Sequence, residues 1–387
     1  MASRGCRRGE CTVKKQISVL TALLTAAAFA VTGCGASSDN AAPSASSKAA
    51  SQEVPEETEH SEAESTKAEN TGAETGSEAV SEEEKEGSGA AAVRVGSLKG
   101  PTSMGLAYLM ETAKNGETAN TYEFTMAGKA DELVGNIANG SLDIALVPAN
   151  VASVLYNKTQ GQVKVIDINT LGVLYVVASD DSISTMEDLK GKTVYMTGKG
   201  TTPEFAMNYL LAENGLGSGD VNMEFKSEAA EVASILKEDP SAIGVLPQPF
   251  ASAACMQNPE LKTVMDLTEQ WDLLNKEGKS RMVTGVTIVR TGFLEEHEAA
   301  VERFLKDHAE SAEYTSAEPK KAAQLVADIG IVEKAAMAQK AMPLCNIVCI
   351  TGEEMKQALS GYLEVLSGQD AKSIGGTLPG DDFYYLP

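Results

Sequence analysis

The chain has 387 residues, of which 43% are hydrophobic and 22% are charged, enough for a large globular core and for about two or three domains. Its net charge of −23 excludes nucleic-acid binding through a general basic surface, and three histidines are too few for a His-rich metal site. Six cysteines in this length exclude a disulfide-stapled scaffold.

Residues 1–33 are predicted to be an export signal. A basic stretch precedes residues 17–31, a fifteen-residue segment without charge. That segment is short for a membrane span and typical of a signal-peptide core. It leads into Gly33-Cys34, and this pattern resembles the signal of bacterial lipoproteins, in which the cysteine becomes the lipidated first residue. We predict lipidation at Cys34; the alternative is an ordinary cleaved signal or an N-terminal anchor.

Residues 34–90 are predicted to be the lipidated cysteine followed by a disordered acidic linker. From residue 35 the segment has fourteen acidic residues, three lysines and only two large aliphatic residues, Val54 and Val80. Such a composition cannot bury enough apolar surface to offset the entropy of ordering. The linker would tether the folded body near the membrane, or would serve only solubility.

From residue 91 onward, β-branched runs alternate with amphipathic stretches. We predict strands over residues 93–98, 122–126, 143–147 and 163–168, and helices over residues 102–114, 130–139 and 150–156. Later helices are predicted over residues 298–315, 319–327, 333–340 and 353–366. The alternation predicts an α/β fold with largely parallel sheets. His297 and His308 lie in the charged helical region and are predicted to be solvated.

Two parts of the body, about one hundred residues apart, resemble each other. Residues 95–102 and 195–203 both run from a strand through a Lys-Gly loop to a helix start with Thr and Pro. Residues 143–150 and 242–249 match at a later strand end. Two lobes of similar plan would direct helix N-termini, with their free N–H groups, into a shared cleft suited to a polar or anionic ligand. The alternative is chance similarity between two common strand–loop–helix units.

Four segments carry a resemblance to a known family: residues 100–102 (GPT), 140–145 (GSLDIA), 188–194 (DLKGKTV) and 198–203 (GKGTTP). With them, residues 93–387 resemble the substrate-binding proteins of bacterial ABC transporters, in the group of sulfonate, nitrate and taurine receptors and thiamine-pyrimidine-precursor receptors. The resemblance implies a two-lobed periplasmic-binding-protein-like fold of type II, an α/β fold with two mixed, mostly parallel sheets, flanking helices and two crossover strands.

The resemblance also implies which residues form each lobe and which molecules the lobes bind. Lobe 1 would comprise residues 91–176 and 285–387, and lobe 2 residues 177–284, with crossover strands at 171–178 and 283–289. The lobes would close on a small-molecule ligand by hinge motion, and the closed form would be recognised by the ABC transporter permease. We expect a monomer outside the cytoplasm, held to the membrane at Cys34, without a cofactor, a metal or catalytic residues.

The candidate ligand-binding residues lie at the predicted strand ends, helix starts and crossovers. They are Gly100, Pro101, Thr102, Ser103, Gly128, Asn150, Tyr175, Lys199, Gly200, Thr201, Thr202, Gln248, Thr284 and Gly285. Asn150 and Gln248 are the strongest candidates, because open α/β sheets bind ligands just beyond the C-terminal ends of their strands. Simpler alternatives stay open: threonines cap helices, glycines form turns, lysines are exposed, and Tyr175 packs in the crossover.

The function predicted from the sequence is a non-enzymatic receptor for an ABC importer. One alternative is an enzyme on the same fold, such as a menaquinone-pathway dehydratase or a pyrimidine synthase of thiamine biosynthesis; another is a ligand-sensing module for a membrane signalling partner. The cleft loops contain no arginine, the usual bidentate partner of a dianion. A sulfonate, nitrate, a phosphorylated group and a neutral or zwitterionic heterocycle remain candidate ligands. Cys255, Cys345 and Cys349 are predicted to be small buried residues.

Overall fold

The computed structural model describes residues 91–387, so the predicted signal, Cys34 and the predicted linker lie outside the described residues. Within residues 91–387 no helix combines the length and the apolar character needed to cross a membrane.

Strands and helices alternate through the first two thirds of the described chain. The strands are β1 (Ala92–Leu98), β2 (Thr121–Ala127), β3 (Ile144–Pro148), β4 (Val163–Leu171), β5 (Leu174–Ala178), β6 (Thr193–Thr197), β7 (Asn222–Lys226), β8 (Ile243–Pro247), β9 (Lys262–Asp266), β10 (Val283–Arg290) and β11 (Ile347–Ile350). The helices are α1 (Pro101–Met104), α2 (Ala107–Lys114), α3 (Ala130–Ala138), α4 (Ala149–Thr159), α5 (Thr202–Glu213), α6 (Ala229–Glu238), α7 (Phe250–Gln257), α8 (Leu267–Leu274), α9 (Thr291–Ala317), α10 (Pro319–Asp328), α11 (Ala335–Ala341) and α12 (Gly352–Gln369).

The described strands form two mixed sheets flanked by helices, which confirms the predicted fold class. The first sheet has the order β11-β4-β10-β3-β1-β2, and the second has the order β7-β6-β8-β5-β9. Strands β1, β2 and β3 run parallel, as do β6, β7 and β8. Strands β10 and β5 enter each sheet from the other and run antiparallel to both of their neighbours. For this reason the sheets are less parallel than the alternation predicts.

The chain passes from the first sheet to the second at Gly172 and Val173, between β4 and β5. The segment predicted as one crossover strand is therefore two strands with a short break. Gly172 is required there, because a Cβ atom would collide with the Thr268 hydroxyl and lie 2.9 Å from Met282 Sδ. Thr268 and Met282 belong to the part of the chain that returns to β10, so the outward and return passages pack against each other.

Two elements differ from the sequence prediction for identifiable reasons. The single helix predicted over residues 102–114 is divided into α1 and α2 around Gly105, where a Cβ atom would lie 3.0 Å from the Ile347 side chain. Ile347 begins β11, a strand that lies between the helices predicted over residues 333–340 and 353–366. The close approach of β11 to Gly105 coincides with the break between α1 and α2, and β11 itself forms by pairing with β4; local propensity alone reveals neither.

The prediction that His308 is solvated is wrong. His308 is fully buried on α9, on the same face as Val301, Phe304 and Leu305. These four residues follow the 3–4 spacing of a buried helix face, which the many charged neighbours obscure. His297, earlier on the same helix, is exposed.

The three cysteines of residues 91–387 are free. Cys345 is fully buried, and burial raises the pKa of its thiol to about 12. Cys255 and Cys349 are half-buried. The structure therefore agrees with cysteines that pack as small side chains and form no mutual disulfide.

Gly361 allows α12 to pack against the return passage, and this contact generates a stability prediction. A Cβ atom at Gly361 would collide with the Lys279 carbonyl oxygen, whereas Gly368 of the same helix has no atom within 4 Å of that position. We expect Gly361→Ala to lower the free energy of unfolding by about 1–3 kcal/mol through overpacking. Gly368→Ala, the matched control, should leave it unchanged or raise it by up to about 1 kcal/mol. Urea unfolding of both variants measures the difference; equal effects would contradict the contact.

Candidate functional site

The ends of strands from both sheets meet where the chain passes between them. Parallel β1 and β3 end at the same edge of the first sheet, and β10 begins there because Gly285 pairs with Pro148. In the second sheet, β6 and β8 end where β5 begins, since Leu174 pairs with Pro247. Both passages join these two edges. The junction therefore collects the loop and helix-start residues of both sheets.

A cavity of about 210 Å³ lies at this junction. Its wall is formed by residues from both sheets, both passages and helix α12. They are Pro148, Ala149, Asn150, Val173, Leu174, Thr197, Thr202, Pro203, Pro247, Met282, Val283, Thr284 and Tyr362. The matching strand ends of the two halves thus enclose one space.

Two helix N-termini form part of the cavity wall, one from each half. Helix α4 has eleven residues and begins at Ala149, and helix α5 has twelve residues and begins at Thr202. Neither N-terminus is capped by a side-chain hydrogen bond. The first N–H groups of a helix have no acceptor within the helix and carry partial positive charge. The cavity can therefore offer N–H donors to a ligand from both sides, and α5 offers fewer of them because its second residue, Pro203, has no N–H.

Hydroxyl groups add to these donors. Thr197, Thr202 and Thr284 line the cavity, and Tyr362 lines it from α12. The Tyr362 side chain is fully buried, and its hydroxyl has no hydrogen-bond partner. Burial raises the pKa of this phenol, which therefore stays protonated. A buried hydroxyl without a partner costs about 1–3 kcal/mol.

The cavity wall has no ionisable acid, lysine, arginine or histidine among its described residues. Arg281 precedes the wall residue Met282, and its guanidinium lies 3.6 Å from the Asp272 carboxylate. The rest of the wall is mainly proline and aliphatic side chains. The site thus combines oriented dipoles with apolar surface, and no formal charge faces the ligand.

Three of the residues predicted from sequence line this cavity: Asn150, Thr202 and Thr284. The Asn150 side-chain amide donates to the Ser373 carbonyl at 3.3 Å, which orients it at the start of α4. Thr202 is the first residue of α5, and Thr284 lies at the start of β10. Asn150 and Thr202 come from the strand-end and helix-start positions that the internal repeat indicates, whereas Thr284 comes from the predicted return crossover.

Thr102, Ser103 and Gly285 lie at the same sheet edge but do not line the cavity. Thr102 Oγ1 donates to the Leu98 carbonyl at 2.8 Å, and Ser103 Oγ lies 2.7 Å from the same carbonyl. A Cβ atom on Gly285 would lie 2.6 Å from Thr102 Cγ2. These residues hold the start of α1 against the sheet, in agreement with the simpler structural alternative.

Gln248 and Tyr175 are buried beside the cavity. The backbone N–H of Gln248 donates to the Val173 carbonyl at 3.0 Å, which places the residue next to the cavity wall. The side-chain nitrogen of Gln248 is buried without a hydrogen-bond partner. Tyr175 is 2% exposed, and its hydroxyl donates to the Leu344 carbonyl at 2.7 Å. Burial raises the pKa of the Tyr175 phenol. Tyr175 therefore packs between the second sheet and the segment before β11.

The remaining predicted residues lie on loops outside the cavity wall. Lys199 is exposed, with its ammonium 5.8 Å from the Phe225 ring centroid. The Thr201 hydroxyl donates to the Gly198 carbonyl at 2.6 Å. Four others occupy turns or helix starts: Gly100, Pro101, Gly128 and Gly200.

Sequence reasoning missed two polar wall residues, Thr197 and Tyr362. Thr197 ends β6, so the strand-end rule that selected Asn150 could have found it. Tyr362 lies on α12, far along the chain from the repeat. No spacing or motif in the sequence connects it to the cavity, and only the packing of α12 brings it there.

Comparison with protein families identifies the class to which this site belongs. The family described as "ABC transporter, phosphonate, periplasmic substrate-binding protein" matches residues 107–315, more than half of the chain. The chain belongs to this family. It is the extracytoplasmic, periplasmic-type component that binds a small-molecule substrate for an ABC importer and works with its permease. The resemblance stated from the sequence is thereby confirmed.

Solved structures of binding proteins share the fold. An ABC transporter protein from Parabacteroides distasonis is 23% identical, covering 76% of this chain and 98% of its own, with a TM-score of 0.64. The periplasmic aliphatic sulphonate binding protein SsuA from Escherichia coli is 16% identical, covering 76% and 92%, with a TM-score of 0.60. The alkanesulfonate-binding protein SsuA from Xanthomonas axonopodis pv. citri, bound to MOPS, is 13% identical, covering 75% and 94%, with a TM-score of 0.52. Among curated proteins, no match was found.

The two buried tyrosines near the junction generate a paired prediction. The Tyr362 hydroxyl has no partner, whereas the Tyr175 hydroxyl donates to Leu344. In the ligand-free protein, Tyr362→Phe should raise the free energy of unfolding by about 1 kcal/mol, and Tyr175→Phe should lower it by about 1 kcal/mol. Chemical denaturation of both variants provides the comparison. A loss in Tyr362→Phe as large as that in Tyr175→Phe would show that the Tyr362 hydroxyl is bonded.

Proposed function

We propose that this receptor captures a small organic monoanion, of the sulfonate type, in the cavity between its two lobes. Lobe 1 would contain the first sheet and lobe 2 the second, so that the chain leaves lobe 1 at Gly172 and Val173 and returns to it at β10, with the two passages as the hinge. The observation that carries the proposal is the cavity whose wall contains two helix N-termini without a side-chain cap, together with Thr202, Thr284 and the buried Tyr362.

The polar head group of the ligand would lie against the helix starts. The backbone N–H groups at the beginning of α4 and α5, together with the hydroxyls of Thr202 and Thr284, are donors for its oxygen atoms. Several oriented dipoles stabilise one negative charge without a counter-ion. This arrangement suits a head group whose charge is spread over several oxygens.

The rest of the wall indicates an organic body. Val173, Leu174, Met282 and Val283 present aliphatic surface to the same space. An inorganic anion such as nitrate would leave this surface in contact with water or with nothing, whereas a short alkyl or ring group would cover it. The cavity of about 210 Å³ limits that group to a small one.

The absence of a cation from the described wall disfavours a dianion. Two negative charges removed from water need paired positive charges or Arg–oxyanion hydrogen bonds, and the wall supplies neither. This favours a sulfonate over a fully ionised phosphonate, although phosphonate stands in the description of the matched family. The same wall offers only hydroxyl and amide groups, so it supports a binding protein without catalysis.

Isothermal titration of the full chain tests the ligand class. We expect ethanesulfonate to bind at least about tenfold more tightly than ethylphosphonate at a pH where the phosphonate is a dianion, because the second charge lacks a partner. Lowering the pH to the monoanionic phosphonate should narrow this gap. Tighter binding of the dianion than of ethanesulfonate would overturn the proposed ligand class.

The donors on the wall are tested by substitution. Thr202→Val with Thr284→Val removes two hydroxyls at nearly constant volume and should weaken ethanesulfonate binding by about 5- to 150-fold, since each hydrogen bond contributes about 0.5–1.5 kcal/mol. Thr125→Val, on the exposed face of β2, is the matched control and should bind as the wild type. Unchanged affinity in the double variant would place the ligand elsewhere.

We also propose that the protein acts as a monomer attached to the outer face of the cell membrane through lipidated Cys34. The support is the Gly33-Cys34 sequence after an uncharged segment, followed by the acidic stretch from residue 35 to residue 90.

Substitution of Cys34 tests the anchor. Cys34→Ala should move the protein from the membrane fraction to the soluble fraction, because the site of lipidation is removed. Cys255→Ala should remain in the membrane fraction. Immunoblots of separated fractions provide the measurement, and membrane retention of Cys34→Ala would contradict the proposed anchor.

A further inference from the structure

A second group of chemically reactive side chains lies between the first sheet and helix α9, apart from the cavity. Asp167 on β4 and His308 on α9 are fully buried, and Cys349 on β11 is half-buried. One ligand atom from each of the three residues lies within 4.8 Å of the other two. None of them lines the cavity at the junction.

Hydrogen bonds within the protein do not fully account for this group. The His308 Nδ1 atom lies 3.0 Å from Asp167 Oδ2, and the Thr287 hydroxyl donates to Asp167 Oδ1 at 2.7 Å. The other ring nitrogen of His308 is buried without a partner. Buried polar groups are almost always paired, and an unpaired one costs about 1–3 kcal/mol. His308 therefore directs one ring nitrogen, Nδ1, at the Asp167 carboxylate, and its other ring nitrogen has no partner in the described residues.

The three side chains match the ligand preferences of zinc. Thiolate, imidazole and carboxylate are the groups that Zn²⁺ takes in tetrahedral sites, and with bonds of about 2.0–2.3 Å the ligand atoms lie about 3.3–3.5 Å apart. His308 Nδ1 and Asp167 Oδ2, which lie 3.0 Å apart, are already close to this spacing, so Nδ1 is the imidazole ligand and the ion would replace their hydrogen bond. The widest separation of 4.8 Å requires a shift of about 1 Å. Thr287 would orient the carboxylate as an outer hydrogen-bond partner.

A route to the group exists at the protein surface. A groove of about 390 Å³ is lined by Cys349, Glu302, Leu305, Lys306, Ala309, Thr351 and Pro387. Cys349 is therefore reachable from solvent, while Asp167 and His308 lie behind it. An ion could approach the thiol without unfolding the sheet.

We propose that Asp167, His308 and Cys349 form a binding site for one transition-metal ion of the zinc class, separate from the ligand cavity. On binding, the Cys349 thiol releases its proton to solvent as the sulfur–metal bond forms, and the proton of the His308–Asp167 hydrogen bond passes to His308 Nε2, with no change of oxidation state. The ion would join β4, α9 and β11. The site goes beyond the transport function and differs from the expectation of no metal. The sequence does not reveal it because its ligands are 141 and 41 positions apart and form no spaced motif.

Cobalt substitution of the full chain tests the site. Co²⁺ bound to a thiolate gives a sulfur-to-metal charge-transfer absorption band, which carboxylate or imidazole ligation alone does not give. We expect one equivalent of Co²⁺ to produce this band in the wild type, and one equivalent of Zn²⁺ to abolish it. Cys349→Ser should lack the band, whereas Cys255→Ser, the half-buried control cysteine on α7, should retain it. No band in the wild type, or a band retained in Cys349→Ser, would overturn the proposal.

A second measurement uses only the wild-type chain, so its result does not depend on whether the Cys349→Ser variant folds. Alkylation of the two half-buried thiols, Cys255 and Cys349, is followed by peptide mass spectrometry with and without Zn²⁺. We expect Zn²⁺ to slow modification of Cys349 at least about tenfold and to leave Cys255 unchanged. Equal rates at Cys349 with and without Zn²⁺ would reject the site whatever the variants show. Because ethanesulfonate binding is read separately, failure here does not affect the proposed ligand class.

Discussion

The close packing of the outward and return passages is the constraint on which the architecture depends. At Gly172 a side chain would overlap the Thr268 hydroxyl, so the two connections between the sheets must lie against each other. Because they are adjacent, the sheet edges that they join also face each other. The strand ends at Pro148, Thr197 and Pro247 then open on one space. A single steric requirement thus positions the cavity and both helix starts around it.

The net charge of the protein and the dipoles of its cavity wall act on a ligand over different distances. The chain as a whole carries a net charge of −23, which repels anions at a distance, yet the cavity wall carries no formal charge among its described residues. Binding of an anion must therefore rely on short-range dipoles, chiefly those of α4 and α5 and of the neighbouring hydroxyls. Such dipoles act over short distances, and a ligand that fills the cavity would displace the water that screens them. Selection then depends on how charge is distributed over the head group, more than on how much charge it carries.

The fold was largely predictable from the sequence, whereas the site was predictable only in part. Period-two and period-3.6 patterns indicated the alternating strands and helices, and the internal repeat indicated Asn150 and Thr202, because local pattern and strand order together determine which residues reach a sheet edge. Tyr362 and His308 could not be found in this way. Each comes from a late helix whose neighbours are set by tertiary packing, and α9 hides its buried face among charged residues.

Helix α12 links the interior of the binding space to the hinge. Gly361 allows the helix to lie directly on the backbone at Lys279, and the next residue, Tyr362, closes the cavity. A molecule that engages the tyrosine hydroxyl therefore steadies the same turn of helix that rests on the return passage. If the proposed cavity is the ligand site, binding would stiffen the hinge as well as fill the space, and a permease would then meet a loaded receptor that differs from an empty one in rigidity as well as in shape.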